Sequence, residues 1–140
     1  MRVVVDVSVF ISAYAFPSKS GKIGASRAVL DLWIGGRFEL VSSPALVDEL
    51  SRKLIDKGVG ALQTAYILGT INDRAAPFPD GTAAACDHCR DPEDTYLVTL
   101  ARTSEANWIV SNDRDLLDMT LIMRVGAPRA FLEAWRAEHR

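Results

Sequence analysis

The segment Arg2-Val3-Val4-Val5-Asp6 decides the fold of this chain. Three consecutive β-branched residues are typical of a strand that is buried on both faces of a parallel sheet. This strand ends on a carboxylate, Asp6. Because a carboxylate that closes an apolar strand is costly to desolvate, we expect Asp6 to serve the chemistry of the protein rather than its packing.

Strands and helices alternate along the rest of the chain. Short apolar runs predict four further strands, at Phe38–Val41, Ala76–Phe78, Trp108–Val110 and Leu121–Val125. Apolar residues at helical spacing and capping residues predict helices at Val9–Phe16, Ala25–Ile34, from Pro44 after a Ser43 cap, Ala61–Ile71, Asp91–Thr103 and from Pro128. This alternation predicts an α/β fold, a three-layer α/β/α domain with a mainly parallel central sheet of about five strands.

Composition sets the broad class of protein. A chain of 140 residues with 49% hydrophobic content can bury a core as one domain, residues 1–140, without disulfides or structural metals. Charged residues make up 24% and the net charge is −2, which excludes a strongly basic, histone-like nucleic-acid binder. The first ten residues match neither a signal peptide nor a membrane span, so we expect a cytoplasmic protein with no membrane partner.

The stretch Cys86-Asp87-His88-Cys89 raises the alternative of a zinc or redox site. Zinc normally needs four ligands, and the chain offers only His139 beyond this stretch. A disulfide between Cys86 and Cys89 is not expected in a reducing cytosol. We favour a variable surface loop here.

Two carboxylates follow strands that are expected to lie in the same sheet. Ligand sites in open α/β sheets lie beyond the carboxyl ends of the strands. Asp6 ends the first strand, and Asp113 follows the strand Trp108–Val110 by three residues. Both are therefore predicted at one edge of the sheet.

Two further carboxylates lie on helices that are expected to start at this edge. Asp94 falls in the first turn of its helix, and Glu49 falls about one and a half turns into another. The spacing of three residues from Leu46 places Glu49 beside the buried stripe of its helix, whereas Asp48 points away.

Asp6, Glu49, Asp94 and Asp113 are thus expected to converge, with no Lys or Arg assigned to neutralise them. Carboxylates and water are the ligands that Mg²⁺ and Mn²⁺ prefer. Two such ions roughly 3.5 to 4 Å apart can activate a water molecule and stabilise the leaving oxygen in phosphodiester hydrolysis. The cluster therefore predicts a phosphodiesterase with one or two Mg or Mn ions.

Four segments, in chain order, resemble the successive motifs of PIN domains: Val3-Val4-Val5-Asp6-Val7-Ser8-Val9, Leu46-Val47-Asp48-Glu49-Leu50, Asp91-Pro92-Glu93-Asp94 and Ile109-Val110-Ser111-Asn112-Asp113-Arg114-Asp115-Leu116. The resemblance spans nearly the whole chain. The closing segment Gly126–Leu132 is similar to the final helix of the PIN proteins that are toxins of toxin-antitoxin pairs, the VapC-like ribonucleases.

The resemblance implies a Mg- or Mn-dependent endoribonuclease with RNA as substrate and a small antitoxin protein as partner, and it leaves a homodimer open. It places the metal-binding and catalytic acids on Asp6, Glu49, Asp94 and Asp113. The supporting residues that it implies are Ser8, Asp91, Ser111 and Asp115. The chain departs from the family at Val7, where Thr is common, so one hydroxyl that could support the site is missing.

Structural roles and rival functions remain open alternatives. Asp91 could cap a helix, worth roughly 1 kcal/mol. Asp94 could favour a helix dipole, worth about 0.3 to 1 kcal/mol, and Asp113 and Asp115 could be turn residues. A haloacid-dehalogenase-like phosphatase also begins with a strand that ends in Asp, but it needs a second Asp where this chain has Ser8. A PIN-like fold kept only for protein contacts is the non-enzymatic alternative.

Overall fold

The computed structural model of the protein describes residues 1–16, 21–80, 92–117 and 124–139, and within these ranges it leaves aside the side chains of residues 92–95. The strands are β1 (Arg2–Val5), β2 (Glu39–Ser42), β3 (Ala76–Pro77), β4 (Trp108–Val110) and β5 (Val125–Gly126). The helices are α1 (Val7–Tyr14), α2 (Ala25–Ile34), α3 (Pro44–Asp56), α4 (Ala61–Arg74), α5 (Pro92–Thr103), α6 (Arg114–Leu117) and α7 (Pro128–Glu138).

The five strands form one sheet in the order β3-β2-β1-β4-β5, and every pairing is parallel. β1 lies at the centre, where Val4 pairs with Val41 of β2 and with Ile109 of β4. These three residues are fully buried. The α/β fold with a mainly parallel sheet, predicted from the β-branched run of β1, is confirmed.

The order of the strands places helices on both faces of the sheet. The chain moves from β1 outward to β2 and β3, and then returns past β1 to β4 and β5. Because parallel crossovers are right-handed, the outward connections with α1–α4 lie on one face and α5 lies on the other. α5 packs against β1 and β4, and α2 packs against α1 and α7. The direction of winding reverses between β1 and β4, where open sheets place their ligand crevice.

Aromatic side chains fill the core. Phe131 of α7 makes edge-to-face contacts with Phe38 and Trp108, with ring centroids 5.6 Å apart in each pair. Phe10 of α1 meets Trp33 of α2 edge-on at 6.5 Å. Trp33 and Phe131 are therefore core residues, whereas Trp135 of α7 is only partly buried.

The structure corrects three element boundaries. α1 begins at Val7, two residues before the predicted start, because the carbonyl of Asp6 already accepts a hydrogen bond from the amide of Val9. α6 occupies a segment that we expected to be only a turn. β5 begins at Val125, with Arg124 outside it; the remainder of the predicted Leu121–Val125 strand lies at residues 121–123, outside the described part.

The pattern of apolar residues predicts Leu62, Ala65, Tyr66 and Ile71 on the inward face of α4, and of these four only Ile71 is buried. Leu62 and Tyr66 are 90% and 63% exposed, whereas Thr64, Ile67 and Ile71 are buried. The hydroxyl of Thr64 donates to the carbonyl of Val59 at 3.5 Å, which allows this polar residue to join the buried stripe. The pattern of apolar residues alone could not show this.

α4, with 14 residues, is the longest helix described. A search of the described residues finds no helix with both the length and the apolar character needed to cross a membrane.

Candidate active site

Asp6 lies at the point where the direction of winding reverses. Its backbone amide donates to the carbonyl of Val110 at 2.9 Å, so it extends the ladder between β1 and β4 by one residue. It occupies the N-cap position of α1, but its carboxylate makes no capping hydrogen bond there. At 8% exposure it is nearly buried. The side chain is therefore available to the crevice instead of to the helix.

Two hydroxyl groups hold the Asp6 carboxylate. Ser111, fully buried at the end of β4, donates from Oγ to Asp6 Oδ2 at 2.7 Å. Ser8 donates from Oγ to the same oxygen at 2.9 Å. The structure thus brings Ser8 and Ser111, both expected to support the site, directly to Asp6. Ser8 lies 2 positions and Ser111 lies 105 positions from Asp6 in the chain, so a local bond and a long-range bond together fix the orientation of this carboxylate.

The surroundings of Asp6 favour a neutralising partner. Burial raises the pKa of the Asp6 carboxyl above its ordinary value of 3.8, the hydrogen bonds from Ser111 and Ser8 lower it, and the negative charge of Glu49 raises it. The net direction is upward because desolvation has the largest effect. A proton or a bound cation at this position therefore stabilises the site.

Glu49 reaches the site from α3, which begins as the sequence predicts. The hydroxyl of Ser43 accepts the amide of Leu46 at 3.3 Å, and Pro44 occupies the first turn. Leu46 and its partners at four-residue spacing are buried. The Glu49 side chain is 16% exposed, whereas Asp48 is exposed to solvent. The predicted faces of this helix are confirmed.

Glu49 has two side-chain partners that the sequence analysis missed. Lys53 Nζ lies 3.1 Å from Glu49 Oε1, and the hydroxyl of Tyr96, from α5, donates to Glu49 Oε2. The expectation that no basic residue neutralises the acids is therefore wrong. This ion pair could have been predicted, because Glu and Lys four residues apart on a helix are neighbours on its surface. The contact of Tyr96 depends on how α3 and α5 approach each other, which no local pattern shows.

Asp113 is connected to Asp6 through Ser111. The amide of Asp113 donates to Ser111 Oγ at 2.9 Å, and this hydroxyl in turn donates to Asp6. Asp113 Oδ1 accepts the amide of Asp115 at 3.0 Å and so caps α6. Asp113 therefore has the structural role considered for it as a turn residue, at a position beside the site. Asp115 lies in the first turn of α6.

Two predicted residues cannot be placed as side chains. Asp94 lies in the first turn of α5, as predicted, but its side chain is outside the described part. Asp91, Cys86 and Cys89 lie at residues 81–91, also outside it. Among the residues that are described, no three or more His, Cys, Asp or Glu side chains are grouped so that they could hold a metal ion. A metal site around Asp6 and Glu49 thus needs a further ligand.

A cleft of about 630 Å³ adjoins Ser8, one of the two residues whose hydroxyls hold Asp6. Its walls come from α1, from the last turns of α3 and from the loop after β4. The lining residues are Ser8, Ile11, Ser12, Phe16, Lys53, Asp56, Lys57 and Asn112.

Comparison with known proteins identifies the family. Residues 2–115 match the PIN domain family. The chain is similar in structure to a chain of VapBC2 from Rickettsia felis, with a TM-score of 0.58 and 13% sequence identity. That crystal structure shows VapBC2 bound to a DNA fragment from the VapBC2 promoter. The match covers 89% of this chain and 97% of that chain, and at this identity it shows the fold alone. No curated protein sequence gives a significant match. Since the family match extends over most of its length, the chain belongs to the PIN-domain family.

Proposed function

We propose that the protein is a metal-dependent endoribonuclease that hydrolyses RNA phosphodiester bonds with Asp6, Glu49, Asp94 and Asp113. PIN domains are generally nucleases, which supports a hydrolase. The observation that carries the proposal is Asp6, a nearly buried carboxylate at the end of β1 that two serine hydroxyls orient and that Glu49 faces with like charge. Such an arrangement is expensive for a purely structural residue.

The donor set fits a hard divalent cation. Asp6 and Glu49 offer carboxylate oxygens, the ligand type that Mg²⁺ and Mn²⁺ prefer. Burial, with a smaller contribution from the charge of Glu49, raises the pKa of Asp6, so a cation beside this carboxylate would stabilise its ionised form. Asp94, whose side chain lies outside the described part, is the proposed third ligand. The described side chains do not group Asp113 with Asp6 and Glu49, and we propose that it joins them when the ion binds. When bound, one or two ions would supply an activated water molecule and charge stabilisation at the leaving oxygen.

The chain's own residues would position this chemistry. Ser8 and Ser111 fix Asp6 through Oδ2, while Tyr96 and Lys53 hold the two oxygens of Glu49. Val7, which stands where the family commonly has Thr, is buried. Ser111 supplies a second hydroxyl to Asp6, so the carboxylate is oriented without a threonine at position 7. Asp91 and Asp115 are proposed as supporting acids.

We further propose that the nuclease is the toxin of a toxin-antitoxin pair and acts in the cytoplasm, with a small antitoxin protein as its partner. The similarity of Gly126–Leu132, which forms β5 and the start of α7, to VapC-like toxins supports this, as does the shared fold with a chain of VapBC2. Expression of the parent chain in a bacterial host should arrest growth of the host cells, and expression of the Asp6→Asn variant should not. Equal arrest by both chains would contradict the toxin assignment.

The rival phosphatase reading lacks support from the site. The second Asp that a haloacid-dehalogenase-like phosphatase requires is replaced by Ser8, and the Ser8 hydroxyl is engaged with Asp6.

Cleavage of single-stranded RNA by the purified protein tests the proposed activity. We expect cleavage in Mg²⁺ or Mn²⁺, loss of cleavage in EDTA, and loss in the Asp6→Asn variant with metal present. Cleavage that survives EDTA, or an Asp6→Asn variant as active as the parent, would contradict the proposal.

A further inference from the structure

A second cleft, of about 550 Å³, opens beside the cleft that Ser8 lines, and Ser8 is in turn hydrogen-bonded to Asp6. It lies between the end of α1, residues 21–24 and the first turns of α2 and α7. Ser12, Phe16 and Asn112 line both clefts, so the two share a wall. A chain-like ligand bound at Asp6 can therefore continue into this second cleft.

Asn112 forms a fixed part of the shared wall. Its backbone amide donates to Ser8 Oγ at 3.0 Å, and its side-chain amide donates to Ser26 Oγ at 3.4 Å. Ser8 belongs to the hydroxyl pair that holds Asp6, and Ser26 belongs to the first turn of α2. The wall between the clefts is thus tied to the active site on one side and to the second cleft on the other.

The second cleft is electropositive although the chain as a whole carries a net charge of −2. Lys22, Arg27 and Arg129 line it, and among the described residues of its lining the one acid is Asp31, which forms an ion pair with Arg27 at 3.2 Å. Neither α2 nor α7 has a side-chain cap, so their first-turn amides add to the positive potential of the cations. A polyanion matches this charge.

An exposed aromatic ring stands where the two clefts meet. Phe16 is 66% exposed and lines both of them. Bases of single-stranded nucleic acids stack on such rings without regard to sequence. Proteins that bind single-stranded nucleic acids usually combine basic side chains along the phosphate backbone with aromatic rings on which the bases stack.

We propose that the second cleft binds the nucleotides that flank the cut in a single-stranded RNA, with phosphates on Lys22 and Arg129 and a base on Phe16. This assignment rests on the proposed RNA cleavage at Asp6. Continuity with the carboxylate site and charge complementarity favour RNA over a protein segment as the occupant.

Steady-state cleavage by the full chain tests the proposal, with a twelve-nucleotide single-stranded RNA and a dinucleotide as substrates. For the double variant Lys22→Gln/Arg129→Gln we expect at least about a tenfold rise in KM for the longer RNA, with kcat and the dinucleotide KM nearly unchanged. The dependence of log affinity on log salt should flatten by about 0.7 for each lost phosphate contact. Phe16→Ala should weaken binding by at least about fivefold without changing this slope.

Arg102→Gln is the matched control, because Arg102 is an exposed arginine at the end of α5. This end of the helix lies near Arg2 at the start of β1, whereas Asp6 follows the end of β1. The control should leave KM and the salt slope unchanged. If the parent cleaves RNA and the double variant keeps the parental KM and slope, the second cleft does not bind RNA and the proposal is overturned. If the parent cleaves no RNA, the proposed function fails. Fluorescence anisotropy with the same RNA in EDTA then measures RNA binding to the second cleft without cleavage. Equal RNA affinity of the parent and the double variant would overturn the assignment.

Discussion

Replacing Ser111 by alanine removes one hydroxyl from the centre of the site without altering the backbone. Ser111 is fully buried, and its Oγ donates to Asp6 Oδ2 at 2.7 Å and accepts the amide of Asp113 at 2.9 Å. The variant loses both bonds. It leaves Asp6 with the hydroxyl of Ser8 and leaves the amide of Asp113 without its acceptor.

The expected loss of stability follows from these two bonds. A hydrogen bond to a charged group contributes about 1.5 to 3 kcal/mol, and a neutral one about 0.5 to 1.5 kcal/mol. Their sum is about 3 kcal/mol. Since a change of 1 kcal/mol shifts the melting temperature by about 4 °C in a chain of this length, Ser111→Ala should lower Tm by about 12 °C in EDTA.

Ser104→Ala provides the matched control. Ser104 directly follows α5 and is also fully buried, but its hydroxyl donates only to carbonyls of α5, those of Leu100 at 2.7 Å and Ala101 at 3.3 Å. The carbonyl of Leu100 also accepts the amide of Ser104 at 2.9 Å, so it stays paired in the variant. The cost should therefore be at most about 1 kcal/mol.

The pH dependence of the Ser111→Ala penalty separates an effect on the Asp6 carboxylate from simple loss of packing. In the parent, burial raises the pKa of Asp6 above 3.8, so the folded chain binds the proton more tightly than the unfolded chain. The contribution of Asp6 to stability is thus complete below pH 3.8 and is lost as the pH rises through the raised pKa. Because the bond from Ser111 lowers this pKa, its removal raises the pKa further and enlarges the loss at neutral pH.

Urea unfolding of the parent and both serine variants in EDTA, at about pH 4 and at neutral pH, measures these quantities. The penalty of Ser111→Ala should be larger at neutral pH, and that of Ser104→Ala should be the same at both. Equal penalties for the two variants, or a Ser111→Ala penalty that ignores pH, would refute the reasoning.

Three further variants test other parts of the structure. In EDTA near neutral pH, Asp6→Asn should melt a few degrees above the parent, because it removes a carboxylate that burial and the charge of Glu49 disfavour. Addition of Mn²⁺ should raise the Tm of the parent far more than that of the variant. A variant that melts below the parent, with equal Mn²⁺ shifts in both proteins, would show that Asp6 has only a structural role. Gly126→Ala should lower the free energy of unfolding in urea by about 1 to 3 kcal/mol, because its Cβ would lie 2.9 Å from the buried indole ring of Trp108. Gly69→Ala, in open space on α4, should raise the free energy of unfolding by about 0.5 to 1 kcal/mol. The reverse order of stabilities would contradict this packing. Glu49→Gln should lower the rate of RNA cleavage at least about a hundredfold, while Asp48→Asn should leave the rate nearly unchanged. Equal losses of cleavage rate in the two variants would mean that the wrong face of α3 has been assigned to the site.

Features of the fold that depend on local pattern could be predicted from the sequence. The β-branched run before Asp6 predicts the central strand, because only a strand buried on both faces suits three consecutive valines. Ser43 and Pro44 predict the start of α3, since capping chemistry is decided within a few residues. The convergence of Asp6 and Ser111 follows from strand polarity, because parallel strands end at one edge.

Features that depend on packing between elements could not be predicted in this way. The side of α4 that faces inward includes Thr64, whose burial depends on a hydrogen bond to Val59. The hydrogen bond from Tyr96 to Glu49 joins two residues that lie 47 positions apart in the chain, on different helices. α6 has only four residues, too few to show a helical period. In each case a tertiary contact, rather than local propensity, determines the outcome.

The central claim is that Asp6, Glu49, Asp94 and Asp113 form one metal site, and calorimetric titration of the metal-free protein with Mn²⁺ tests it most directly. We expect the parent to bind one or two ions, Asp6→Asn and Asp94→Asn to weaken binding at least about tenfold, and the exposed Asp48→Asn control to bind as the parent does. A parent that binds no Mn²⁺, or an Asp48→Asn variant that loses as much affinity as Asp6→Asn, would contradict the account.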